Sequence, residues 1–123
     1  MKLATMTLRL ILALPVLLVG PTQAADLPPW AQPDVVMAAL EIRMSEDQIP
    51  QFREAVSTYI SDLTAMVSQV SRGNNATGIE RKIRSKNNHL VQKMDERMAE
   101  FLSAEQMQKY EIYRDLLLAA MTP

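Results

Sequence analysis

The sequence predicts an all-α protein of four helices: a long central antiparallel helical hairpin with short N-terminal and C-terminal helices, paired as a dimer. Three observations predict it. The composition has only 3 Gly in 123 residues, 5% aromatics and no Cys, a balance that favours helix over turn-rich strands. Ile49, Phe52, Val56, Tyr59, Leu63, Met66 and Val70 follow one another at alternating steps of three and four, a heptad seam sustained without exception. A Ser-x-x-Gln capping box occurs twice, at Ser45–Gln48 and Ser103–Gln106, and each copy marks a helix start.

Residues 1–24 read as a secretory signal. Lys2 and Arg9 lead into the apolar run Leu10 to Val19, Gly20-Pro21 breaks it, and the small residues of Thr22-Gln23-Ala24 suit a signal peptidase. Cleavage is expected after Ala24, with Ala25 the next choice. The uncharged stretch Leu10 to Ala25 spans 16 residues and holds two prolines, short of the roughly 20 that a membrane-spanning helix needs. The expected location is therefore the periplasm, with no stable membrane insertion after cleavage. Losing Lys2 and Arg9 leaves a chain more acidic than the formal −1 of the whole, which argues against nucleic acid as a partner. Without Cys there are no disulfides, thiolate nucleophiles or Cys-ligated metals, so stability must come from packing or oligomerisation.

After the signal, residues 25–33 read as an extended leader, because three prolines forbid regular helix, and Trp30 is expected to plug a groove. Residues 34–123 form one helical domain. Pro33 suits the first turn of a short helix running to about Arg43, in which Val35, Val36, Ala39, Leu40 and Ile42 leave no clean polar face. The second helix opens at Ser45–Gln48. Pro50 lacks the N–H that would bond the Glu46 carbonyl, so a bend or a short 3₁₀ start is expected there. Ile60 and Val67 widen the seam towards a further packing partner, a terminal helix or a second protomer.

Gly73 is available to end that helix in a left-handed conformation, and Thr77–Glu80 is a third capping box opening the return. Asn75-Ala76-Thr77 matches a glycosylation sequon but reads as loop and cap chemistry. The returning helix carries Ile79, Ile83, Leu90, Met94, Met98 and Phe101, interrupted by Lys86, Asn87 and Asn88. The last helix carries Met107, Tyr110, Tyr113, Leu117, Ala120 and Met121. At ~1.5 Å per residue the two long arms approach ~40 Å, and a reversal between them brings both Ser-x-x-Gln copies to one end.

Met44-Ser45-Glu46-Asp47-Gln48 and Leu102-Ser103-Ala104-Glu105-Gln106 resemble two copies of the Leu-Thr-x-x-Gln signature of the LTXXQ-motif family, periplasmic stress proteins that include Spy-like and CpxP-like chaperones. Ser stands for Thr in both copies and Met for Leu in the first. The resemblance covers essentially the whole chain after the signal. It implies a thin all-α cradle, usually an antiparallel dimer, and ATP-independent binding of unfolded or stress-damaged envelope proteins. The alternative it leaves open is a regulatory or metal-responsive module that docks on an envelope sensor.

Arg81, Lys82, Arg84 and Lys86 make the returning helix basic and, with Ile83 and Leu90, are the candidate client-binding residues: charge attracts an unfolded chain and apolar contact holds it. The alternative is a solvated face paired with neighbouring acids. His89 with Met94 and Met98 has soft-ligand chemistry, yet Met at i and i+4 more commonly forms a core stripe, and no metal or cofactor is expected. No Ser/His/Asp order, phosphate loop or HExxH occurs, and carboxylate pairs such as Glu46-Asp47 are adjacent and point apart, so no catalytic residue is assigned and the chain is not expected to be an enzyme.

Overall fold

A computed structural model describes residues 27–73 and 78–121. The signal segment 1–24, the first two residues of the leader, Thr77 and the sequon lie outside them. The described residues are all-helical. A single 3₁₀ turn, Pro29–Ala31, is followed by α1 (Pro33–Leu40), α2 (Gln48–Arg72), α3 (Ile79–Phe101) and α4 (Ala104–Met121). The leader is thus not wholly extended. Pro29 opens its turn, where a missing N–H leaves nothing unpaired, and the Gln32 side chain donates to the Leu27 carbonyl at 2.8 Å.

The helices begin and end for local reasons. Pro33 occupies the first position of α1, and Asp34 lies in that first turn, where a carboxylate suits the positive helix end. α1 stops at Leu40, short of Arg43. There the chain tightens into bonds from the Ile42 and Arg43 N–H groups to the Ala39 and Leu40 carbonyls, and Arg43 takes a left-handed φ of 59°. At the entry to α2 the Gln48 N–H reaches the Ser45 carbonyl three residues back. Pro50 falls within the first turn, where its absent donor does little harm.

Gly73 differs from expectation. Its φ of −71° is right-handed, because α2 ends in a tightened bond from the Gly73 N–H to the Val70 carbonyl rather than in a left-handed cap. The left-handed glycine is Gly78, φ 89°, which precedes α3.

α2 lies along α3 and α1 along α4, with lighter contact between α3 and α4. The first pair runs in opposite directions, since Gln48 reaches the Phe101 carbonyl and the Tyr59 hydroxyl donates to Asn87 at 2.5 Å. Asn87, which interrupts the apolar face of α3, thereby satisfies a buried phenol.

The core occupies one end. Val35, Ala38 and Ile42 from the α1 region, Phe52, Ala55, Val56 and Tyr59 from α2, Met94, Met98 and Leu102 from the α3 end, and Tyr110, Tyr113 and Leu117 from α4 are buried. Phe52 and Tyr113 pack with ring centroids 5.1 Å apart and the ring planes tilted by 60°. Between residues 60 and 93 no described apolar side chain is fully buried. Leu63, Met66, Val67 and Val70 continue the seam, but only half-buried, because neither α1 nor α4 lies alongside that stretch.

Candidate functional site

The two Ser-x-x-Gln copies meet. In each, the serine N–H donates to the glutamine Oε1 at 2.9 Å while the serine Oγ accepts the glutamine N–H, at 3.3 Å for Gln48 and 3.1 Å for Gln106. The carboxamides then bond each other: Gln48 Nε2 donates to Gln106 Oε1 at 3.0 Å, and Gln106 Nε2 donates to Gln48 Oε1 at 2.9 Å. The second N–H of Gln48 goes to the Phe101 carbonyl at 2.7 Å, and that of Gln106 to the Arg43 carbonyl at 3.2 Å.

Phe101 and Arg43 each stand two residues before a motif serine, so both copies obey one rule in reverse. A carboxamide offers two donors and two lone pairs, and here all eight positions are filled. Met44 and Leu102, the apolar motif positions, pack on the core beneath. This geometry ties helix ends together and leaves no group free for chemistry.

A second feature was not anticipated. The backbones of α1 and α2 nowhere approach within 8 Å, and the gap between them is an open apolar groove of about 770 Å³. Ile49, Phe52, Val56 and Ile60 of α2 line it opposite Val36, Ala39 and Leu40 of α1, with Tyr113 also contributing and Arg53 as a charged side chain. Trp30 does not plug it. The indole stands at one wall, 46% exposed, because the 3₁₀ turn leans on α1 and α4 rather than on α2. Leu40 is 66% exposed at the other edge. The density of apolar residues in α1 was the available signal; which side of them would stay open was not.

The candidate client-binding set divides. Arg81, Lys82, Arg84 and Lys86 are exposed and form no ion pair among the described residues, whereas Ile83 and Leu90 are half-buried, Leu90 against the core. Basic and apolar members therefore do not share one open face. Met94 and Met98 are buried and His89 is exposed, and among the described residues no three His, Asp or Glu side chains gather as metal ligands. No described helix is long and apolar enough to cross a membrane.

The titrating groups of interest are phenols. Burial raises all three tyrosines: Tyr59 despite its bond to Asn87, Tyr113 to about 12, and Tyr110 furthest, with the Asp95 carboxylate it donates to at 2.7 Å adding to the effect. Asp95 also pairs with Arg114 at 3.1 Å. None of the three phenols is an acid or base near neutrality. Comparison with family models, curated proteins and solved structures finds no match.

Proposed function

We propose that the chain is an exported, periplasmic protein of LTXXQ type that binds unfolded or stress-damaged envelope proteins without ATP. The observation that carries the reading is the open groove between α1 and α2, an apolar surface lined by half-exposed Trp30 and largely exposed Leu40. An extended segment with alternating apolar side chains would bury them there, and the polar flank of Ser57 and Ser61 limits how tightly any one sequence is held. The reciprocal Gln48–Gln106 junction supports the kinship, since it gives both motif copies one shared role.

We further propose that α2 and α3 form a helical hairpin, and that two chains pair across the half-exposed flank of Leu63, Met66 and Val67. The opposed course of α2 and α3 and the incomplete burial of that flank support this.

Light scattering with two unrelated denatured clients tests the function. Both should stay soluble at near-stoichiometric protein, and Leu40→Ser should weaken the protection without lowering the melting temperature. If neither client is protected, the holdase reading fails; if Leu40→Ser protects as well as the parent, the groove is not the surface. A native mass equal to one chain would remove the dimer.

A further inference from the structure

We propose that the far end of the α2–α3 pair docks end-on onto an anionic phospholipid surface, a role distinct from client capture in the groove. Between residues 63 and 92 stand five cations, Arg72, Arg81, Lys82, Arg84 and Lys86, against one acid, Glu80. With 13 Lys+Arg and 14 Asp+Glu in all, eight cations and thirteen acids remain for the rest of the chain. One pole is strongly positive and the remainder negative, so an anionic plane attracts the tip and repels the body, which fixes the approach.

The placement of the charges favours a plane over a chain. At about 100° per residue, Arg84, Arg81, Lys82 and Lys86 spread over about 200° of the α3 circumference, and Ile79 and Ile83 fill the side turned to α2. A polypeptide lying along one flank meets about two of these cations. A plane met end-on meets all five, because α3 rises only ~10 Å from Ile79 to Lys86 and Arg72 ends α2 at the same level, a span close to the screening length at physiological salt.

The hollow at this end adds a second element. Val70 and Ile79 line an open space of about 410 Å³ rimmed by Lys82 and Lys86, so ammonium groups meet lipid phosphates where apolar side chains meet the first methylenes. With none of these cations ion-paired among the described residues, docking breaks no existing pair.

Vesicle co-sedimentation of the full-length chain tests this, with phosphatidylglycerol-containing and pure phosphatidylcholine vesicles. The apolar signal run, residues 10–19, is common to every variant compared and drops out of the differences between variants. Binding should favour the anionic vesicles and fall steeply as salt is raised from about 50 to about 500 mM. Arg81→Gln with Lys82→Gln and Arg84→Gln should weaken it by roughly 100-fold, at about five-fold per cation. Lys93→Gln with Arg97→Gln and Lys109→Gln, which remove the same charge elsewhere, should leave it within about two-fold.

Equal binding to both vesicle types, or equal loss in both triple variants, overturns the proposal. So does a result in which the tip cations govern capture of an acidic denatured polypeptide while the vesicles do not discriminate. Leu40→Ser should leave vesicle binding unchanged, so failure of the groove reading and failure of this one are separable.

Discussion

The two ends of the α2–α3 pair share one heptad pattern and differ in what surrounds it. At the base, Phe52, Val56, Met94 and Met98 are buried in one core with residues of α1 and α4, Phe52 and Val56 forming the floor of the groove. Towards the tip, Met66, Val70, Ile79 and Ile83 lie outside that core and remain half-buried. A seam between two helices buries one stripe, and a stripe becomes a core only when a further layer covers its edges. Stability is therefore concentrated at the base, and the tip is held mainly through its continuity with it.

The sharpest way to break this contrast is alkaline titration, since all three tyrosines of the chain lie from Tyr59 towards the base. Each has a folded-state pKa above its unfolded value of about 10. Their contribution is therefore complete below pH 10 and is lost as pH rises towards about 12, where Tyr113 titrates. Stability should fall by up to ~1.4 kcal/mol per pH unit for each phenol. Phenolate absorbance should rise together with loss of helix; early phenolate in a folded protein would contradict the buried base.

Next in size, Met98→Ala, at a position with no exposure, should cost ~3 kcal/mol in urea unfolding, whereas Ile83→Ala should cost under ~1 kcal/mol. Equal costs would show that something covers the tip as well. Gln48→Glu should cost ~2 kcal/mol, because a carboxylate cannot donate to Phe101 and Gln106, while Ser45→Ala loses only a cap worth ~1 kcal/mol. A cycle of Gln48→Ala and Gln106→Ala should show strong coupling, and strict additivity would mean that the two capping boxes act separately. Smallest is the glycine pair. Gly78→Ala should cost ~1 kcal/mol for its left-handed backbone, and Gly73→Ala should cost less, since its φ is already helical and the added methyl meets only the Val70 carbonyl, at 3.3 Å.

The parts of this structure legible in the sequence are those set by neighbours along the chain. Ser45 with Gln48 and Ser103 with Gln106 form the reciprocal bonds their spacing predicts, and the seam from Ile49 to Val70 lies on one helix. Periodicity specifies which residues share a face but not which helix covers it. The open side of α1 and the stance of Trp30 are therefore not legible in the sequence, whereas the split between Ile83 and its basic neighbours follows from helical periodicity.

Gly73 misled because a glycine at a helix end permits a left-handed cap without requiring one. Arg43 went unnoticed for the converse reason: nothing in an arginine announces a left-handed φ. Its carbonyl takes a bond from Gln106, an interaction made across 63 positions of sequence.

Because the ring of two carboxamides contains no ionisable atom, acid, alkali short of unfolding and dissolved ions have nothing on it to act upon. A clasp of neutral amides holds equally in brine and in dilute medium, which suits a body whose excess positive charge gathers at one end while the rest is mixed and net negative.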